Sequence, residues 1–557
     1  MKKLMSIRLP IGISDFQKLI REEYQFVDKT HFIKEVINDS AEVMLIIRPR
    51  RFGKTLNMSM LQYFLDQSKS SPDNLFQGLE VAKDTEFCKK HQNQYPVIFI
   101  SFKDIKYSDY TEAYEGISAL LMELYRNHRY LLEGDFLHED EKVVFTELLY
   151  QKANSANLKS AVKQLAVYMK KKFNKAPIIL IDEYDTPIQE AYLSGYYREM
   201  IELMRSILGQ ALKDNFALAK AVLTGITRVS QESLFSGLNN VRVYSLLNEQ
   251  YSQHFGFTEE EVVKLTTETG QAADLSTIKK WYNGYQIGKY TLYNPWSIIN
   301  CLSNHGKIQP YWLNTASDAL LHHLLSKAGI EVKQQLEELL QGKVIERPLS
   351  ENLVFMDIET REEALWSLLL YAGYLNVIST ELRGSRLVTK ISIPNKEVSF
   401  VYDNIVEQWF STAISLSSYD RFVQSLASAD MDKFKMYLST YIIQTGSYFD
   451  FNQNTPEQVF HMFILGLVVG LRDSDIIQSN QESGFGRYDV MFIPKNKQLS
   501  GILLEFKVAE VPEDLANKAQ EALDQIKDKQ YMEALFQHEV KSVLAIGMAF
   551  CGKKMEL

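Results

Sequence analysis

The chain has 557 residues, 46% hydrophobic and 24% charged, with a formal net charge of −9. These values belong to ordinary globular protein of about two to four domains and exclude a uniformly basic nucleic-acid coat, so any nucleic-acid contact must come from local patches. Three cysteines, Cys88, Cys301 and Cys551, stand far apart without metal-type spacing, which fits a reducing compartment and no disulfide framework.

The start, Met1-Lys2-Lys3-Leu4-Met5, has the charge of a secretory leader, but Arg8, Pro10 and Asp15 break any apolar core that could follow. The segment 24–30 leads into an expected helix over 30–38, with Asp28 or Thr30 as its cap. Next comes Val43-Met44-Leu45-Ile46-Ile47, five apolar residues that predict a buried strand. The basic loop Arg48-Pro49-Arg50-Arg51-Phe52-Gly53 follows, and Lys54-Thr55 opens a stretch with apolar residues at helical spacing. Strand, loop and Gly-Lys-Thr at a helix start is the context of a phosphate-binding loop, in which free N–H groups and the helix dipole face an anion. Lys54 would reach the β- and γ-phosphates of ATP and Thr55 would ligate Mg²⁺. The full pattern asks for glycine at position 48, where this chain has Arg48. Without that glycine the loop has less freedom at positive φ, and Arg50 and Arg51 are candidate compensating phosphate contacts. A plain basic turn before a helix is the alternative.

A strand is predicted at 95–102 and a long amphipathic helical region over roughly 110–175. Ile178-Ile179-Leu180-Ile181 then runs into Asp182-Glu183. Acids at the C-terminal edge of a parallel strand stand where such sheets bind ligands. Asp182 there can hold Mg²⁺, and Glu183 can polarise an attacking water. A further strand, 219–224, leads to Gly225-Ile226-Thr227-Arg228. Thr224 and Arg228 stand where a γ-phosphate sensor would, or they form a strand-end turn with a surface arginine. A strand at 241–246 and a helix starting at Thr258-Glu259-Glu260-Glu261 come next.

Arg-Pro-Arg-Arg-Phe-Gly-Lys-Thr (48–55), Ile-Asp-Glu-Tyr-Asp-Thr-Pro (181–187), Thr-Gly-Ile-Thr-Arg (224–228), Trp-Tyr-Asn-Gly-Tyr (281–285) and Tyr-Asn-Pro-Trp-Ser (293–297) together resemble the AAA-ATPase-like family. That family is largely bacterial and usually carries a C-terminal PD-(D/E)XK nuclease domain. The resemblance covers nearly the whole chain, and the Arg48 departure is usual within it. It implies an α/β fold with an N-terminal P-loop NTPase of the additional-strand type, parallel sheet order 5-1-4-3-2, the Thr224 strand lying between the loop strand and the Asp182 strand. A C-terminal restriction-endonuclease-like α/β domain is implied as well. Expected boundaries are 1–305 for the ATPase with its lid, 306–440 for a helical, winged-helix-like middle, and 441–557 for the nuclease-like domain.

The aromatic stretch 281–297 is either a lid near the adenine or a packed subdomain edge. Within the middle region, a helix around 363–371 and a β-ribbon near 386–394 resemble a winged helix. No basic recognition helix stands out, so a structural role leads over DNA binding. Residues 411–450 read as a helical linker. The apolar run 459–471 is too short to span a bilayer and predicts a buried helix. A cytoplasmic protein with no membrane association is expected.

The C-terminal part pairs 486–494 with 500–508 as a hairpin around Lys495-Asn496-Lys497-Gln498. Strand period two puts Glu505 and Lys507 on one face, and Asp489 on the neighbouring strand can converge with them. Two acids holding Mg²⁺ or Mn²⁺ and a lysine near the phosphate are what metal-assisted phosphodiester hydrolysis requires. A Glu/Lys pair on a solvated strand face is the alternative, but Leu503, Leu504, Phe506 and Val508 are buried types, and charges among them are costly unless paired or ligated. The resemblance further implies Glu457 as an accessory acid and Gln525, on an expected helix 514–535, as a phosphate or water contact. A strand at 542–550 is expected to close the sheet. Two functions follow. The first is an ATP-hydrolysing protein fused to a nuclease acting on nucleic acid, with DNA the expected substrate and homo-oligomerisation open. The second is an ATP-dependent regulatory switch whose nuclease fold is inactive.

Overall fold

The structure is a computed structural model. It describes residues 7–69, 74–228, 240–270, 274–312, 321, 324–325, 330–340, 342–350, 355–358, 360–384, 386–402, 416–445, 460, 463–464, 475–483 and 486–557. The chain forms two compact units, one of Met1–Leu324 with Glu346–Val398, the other of Leu325–Ile345 with Ser399–Leu557. The middle stretch 306–440 is thereby shared between them.

The first unit is built on five parallel strands, β1 (Val43–Ile47), β2 (Val97–Ser101), β3 (Ile178–Asp182), β4 (Lys220–Gly225) and β5 (Val241–Tyr244). Their order is β2-β3-β4-β1-β5, which read from the other edge is the expected 5-1-4-3-2. All five residues of β1 and all five of β3 are buried, as strands covered on both faces require. Register puts Ile46 opposite Thr224 and Ser101 opposite Asp182, so the polar ends of β1, β2, β3 and β4 meet at one sheet edge. Between β2 and β3 the chain forms three helices, Tyr110–Asn127, Glu139–Leu149 and Ser155–Phe173, over the expected helical region.

Beyond β5, the helix Glu259–Thr269 starts with a capping box in which Thr258 and Glu261 satisfy each other's backbone N–H groups. The helix Leu275–Tyr282, the hairpin β6 (Tyr285–Ile287) and β7 (Tyr290–Leu292), and the helix Pro295–Ser303 follow. The aromatic motifs belong to a core of Val262, Leu265, Ile278, Tyr282, Tyr293 and Ile298, with Trp281 and Trp296 at its margin. The aromatic side chains of this stretch thus pack into a core of their own. The helix Glu362–Ala372 falls between β8 (Ile345–Pro348) and an antiparallel ribbon of β9 (Asn376–Arg383) and β10 (Arg386–Ser392), and the three strands form one sheet.

The second unit holds a mixed sheet of β11 (Asp475–Ser483), β12 (Gly486–Pro494), β13 (Gly501–Val508), β14 (Val543–Cys551) and β15 (Lys554–Glu556), in that order. Only β13 and β14 run parallel. Alternation sorts the side chains to two faces. Phe492, Leu504, Phe506 and Phe550 pack with Phe422, Phe434 and Leu438. Met491, Ile493 and Leu503 pack with Ile526, Tyr531 and Leu535. Residues read as a linker thus supply two helices of this core, Leu416–Ala427 and Met431–Thr445. The helix expected over 514–535 breaks in two, Leu515–Asp528 and Met532–Gln537, with Gln530 at a φ of 56° between them. The sheet is closed by β15 rather than by the 542–550 strand, because the chain turns back once more at Gly552. Most of the apolar run 459–471 lies outside the described residues. Among the described residues no helix is long and apolar enough to cross a membrane.

Candidate nucleotide cavity and candidate metal centre

The loop after β1 turns into the helix Lys54–Leu65 through Gly53, the N-cap, at a φ of 83°. A side chain at that φ would be strained. The second left-handed residue of the loop is Arg51, at 66°. Arg48, in place of the usual first glycine, has an ordinary negative φ and is fully buried. Its guanidinium donates to the carbonyls of Ile47 at 2.7 Å, Tyr244 at 3.0 Å and Ser245 at 3.1 Å, and stacks on Phe255 at 5.3 Å. Burial pulls its pKa down to about 9. Arg48 is therefore a structural tie between β1 and the chain leaving β5, and it is not among the residues that line the candidate nucleotide cavity. Nothing local in the sequence signals this role, since its partners other than Ile47 lie nearly 200 residues downstream.

Lys54 is buried, and its Nζ donates to the carbonyls of Arg48 (3.1 Å) and Pro49 (3.0 Å). Burial lowers its pKa, while Glu183, Asp182 and Asp185 oppose that effect. Thr55 Oγ1 donates to Asp182 Oδ2 at 2.8 Å, and Thr224 Oγ1 to Asp182 Oδ1 at 2.6 Å. Asp182 is wholly buried, and desolvation raises its pKa. Thr224 thus aims Asp182 and does not line the cavity. Glu183 stands at a φ of 52°, a left-handed conformation that costs of order 1 kcal/mol or more and concentrates at functional sites.

Sequence reasoning passed over Asp185. Its Oδ2 accepts from the Ile226 and Thr227 amides and the Thr227 hydroxyl, each at 2.9 Å, while Tyr184 Oη donates to the Thr227 carbonyl at 2.6 Å. These bonds stitch the Asp-Glu-Tyr-Asp motif to the Thr-Gly-Ile-Thr motif. In the sequence only the presence of both motifs in one chain hints at this pairing.

Beside these groups opens a cavity of about 490 Å³, within the usual range for small-molecule sites. Arg50, Arg51, Gly53, Lys54, Thr55, Glu183 and Thr186 line it. Apolar surface comes from Pro10, Phe26, Val27, Trp296 and Ile299. Arg50 donates to Gln189 at 3.2 Å, and the Arg51 guanidinium lies 4.4 Å from the Trp296 ring centre. Arg228, on the loop leaving β4, is not among the lining residues, and residues 229–239 lie outside the described part. Thr55 lines the cavity and its hydroxyl meets the Asp182 carboxylate buried behind it, and the two together are an oxygen donor set suited to a hard divalent cation.

In the second unit, β12 and β13 pair through Val490 and Leu504. One step beyond that pair stand Asp489 and Glu505. The Phe506 amide donates to Asp489 Oδ2 at 2.6 Å, and the Asp489 amide to Glu505 Oε2 at 3.3 Å. Gln525 Nε2 donates to the other Glu505 oxygen and lies 3.4 Å from Tyr531 Oη. Glu505 is 2% exposed, whereas Asp489 and Lys507 are half-buried. Strand alternation puts Lys507 on the Glu505 face. That face receives the helix Leu515–Asp528 closely because β14 has Gly547 opposite Glu505. A Cβ there would stand 2.3 Å from the Ala519 carbonyl oxygen. Glu457 lies outside the described residues. Among the described residues no three or more His, Cys, Asp or Glu groups converge as a metal site. Two carboxylates are nonetheless what Mg²⁺ commonly takes from protein, the rest of its shell being water and substrate phosphate, so the Asp489–Glu505 pair fits such an ion.

The five-stranded parallel sheet with its Gly-Lys-Thr helix start defines a P-loop nucleotide-binding module, and the mixed sheet with Asp489, Glu505 and Lys507 a nuclease-like one. The family assignments agree. Residues 10–235 match the family described as Predicted AAA-ATPase, and residues 455–557 match the PD-(D/E)XK nuclease superfamily, so the chain carries one domain of each. It is also similar to an uncharacterized protein in the vnfD 5' region of Azotobacter chroococcum mcd 1. The two are 26% identical over 542 residues, 94% of this chain and 93% of that protein.

Proposed function

We propose that the protein binds and hydrolyses ATP in its first unit and cleaves nucleic-acid phosphodiesters, most simply DNA, in its second. The observation that carries the reading is the convergence of Lys54, Thr55, Asp182 and Glu183 beside one cavity. In this reading Lys54 leaves the Arg48 and Pro49 carbonyls to bind the β- and γ-phosphates, with Arg50 and Arg51 as further phosphate contacts. Thr55 and Asp182 would hold Mg²⁺, Thr224 keeps Asp182 aimed, and Glu183 takes a proton from the attacking water. Arg228, outside the cavity lining, would act on the γ-phosphate in its own subunit or in a neighbour's.

In the second unit Asp489 and Glu505 would hold Mg²⁺ or Mn²⁺, and Glu457 would be an accessory acid. A metal bound there supplies a water of lowered pKa. Gln525 fixes the Glu505 carboxylate, and Lys507 neutralises charge growing on the phosphate. A regulatory switch with an inactive nuclease fold is the second reading. It is favoured by the absence of a third acid beside Asp489 and Glu505 among the described residues.

Calorimetric titration of ATP with Mg²⁺ tests the first unit directly. Wild type should bind and Lys54→Ala should not. Equal affinities would remove the phosphate loop from the site.

A further inference from the structure

The cavity is strongly cationic for an acidic protein. Lys29, Arg50, Arg51, Lys54, Lys103 and Lys106 line it, against the carboxylates of Asp104 and Glu183. Lys29 is committed elsewhere, to Glu261 and the Gln253 carbonyl. Lys103 and Lys106 are exposed. They sit on a turn directly after β2, and the fold holds that turn firmly. The Phe102 amide donates to the Asp182 carbonyl at 3.0 Å, and the Ile105 amide to the Phe102 carbonyl at 3.1 Å. Phe102 and Ile105 are both buried, so the residues between and after them, Lys103, Asp104 and Lys106, are turned outward to the cavity. Tyr196 Oη donates to the Tyr107 carbonyl at 2.6 Å, and the Tyr107 ring packs on Gly116, where a Cβ would meet it at 2.4 Å.

Sheet order gives this turn its meaning. β2 flanks β3 on the side away from β1. A polyphosphate seated on the helix N-terminus at Gly53–Thr55 and running toward Glu183 ends facing the turn after β2. Asp104 offsets part of its charge, but two ammonium groups remain against one carboxylate.

We propose that Lys103 and Lys106 receive the γ-phosphate and neutralise the charge that develops on it during transfer to water. This adds a cationic pair on the β2 turn of the same chain to the γ-phosphate contact proposed for Arg228. The inference rests on the nucleotide reading above.

The test is calorimetry of the full chain with Mg²⁺ and either ADP or a non-hydrolysable imido analogue of ATP, together with steady-state turnover. Charge-assisted contacts of this kind are worth about tenfold or more in binding. Lys103→Ala/Lys106→Ala should weaken the triphosphate analogue by about that factor and leave ADP affinity unchanged. It should lower kcat more than it raises KM. Lys103→Arg/Lys106→Arg should restore most of the triphosphate preference, because charge is retained. If wild type binds both nucleotides and the double alanine variant keeps the same triphosphate-to-diphosphate ratio and the same kcat, the inference is overturned and the nucleotide site stands. If wild type binds neither nucleotide, both fall.

Discussion

Replacing Glu397 by glutamine should stabilise the first unit, and the gain should grow with pH. Glu397 is wholly buried. Its oxygens accept from the Ser297 hydroxyl at 2.7 Å and the Trp312 amide at 2.9 Å, both neutral donors. Desolvation outweighs those bonds and raises its pKa from 4.5 to about 7. The folded state therefore holds a proton that the unfolded chain has released. Stability is full below pH 4.5, falls as pH rises toward 7, and stays low above it. A shift of that size corresponds to ~3 kcal/mol lost at pH 8. The glutamine of Glu397→Gln keeps both bonds, its carbonyl accepting from Trp312 and its amide donating to Ser297, without the buried charge. For a unit of this size the melting-temperature gap between Glu397→Gln and wild type should widen by about 3 °C from pH 5 to pH 8. Differential scanning calorimetry at several pH values measures it. A gap that stays flat or narrows would refute the reasoning. The result also bears on the nucleotide cavity, since Ser297 lies on the helix whose Pro295, Trp296 and Ile299 line it.

Three other outcomes are expected. Glu183→Gln should bind ATP as wild type does and release no phosphate, because only the proton acceptor is gone; turnover within tenfold of wild type, by phosphate release, would exclude Glu183. Gly547→Ala should destabilise the second unit by ~1–3 kcal/mol, since the new methyl meets backbone of the helix Leu515–Asp528, with Leu523 N at 2.5 Å. It should also displace Gln525 from Glu505 and depress cleavage while ATP affinity is kept; a melt like that of wild type would contradict the packing. Lys507→Ala should lose cleavage yet retain divalent-metal binding by calorimetry, whereas Asp489→Asn should lose both, and metal binding intact in Asp489→Asn would place the ion elsewhere.

Much of this was readable from local pattern. A five-residue apolar run, a basic loop and Gly-Lys-Thr identify β1 and its helix, because strand burial and the phosphate loop are both local properties. Period two on β13 placed Glu505 and Lys507 on one face, and the close hairpin brought Asp489 alongside. What escaped reading depends on distant partners. Arg48 looked like a lost glycine, yet its guanidinium binds carbonyls that β5 delivers from across the sequence. β11, polar at Gln478, Ser479, Asn480, Gln481, Glu482 and Ser483, is a strand because β12 pairs with it, not because its residues favour one. Lys103 and Lys106 are ordinary surface charge until the sheet order sets β2 beside β3. Residues 411–450 read as a linker because only the sheet supplies the surface that Phe422, Phe434 and Leu438 cover.

The most direct measurement is cleavage of plasmid DNA, linear DNA and RNA by the purified chain with Mg²⁺ or Mn²⁺, with and without ATP. Wild type should cut at least one of these substrates and stop with chelator. Glu505→Gln should cut none, and its ATP affinity should match wild type. Wild type inert under every condition would replace the nuclease reading with the regulatory one, and Glu505→Gln cutting as well as wild type would put the active centre somewhere other than Asp489, Glu505 and Lys507.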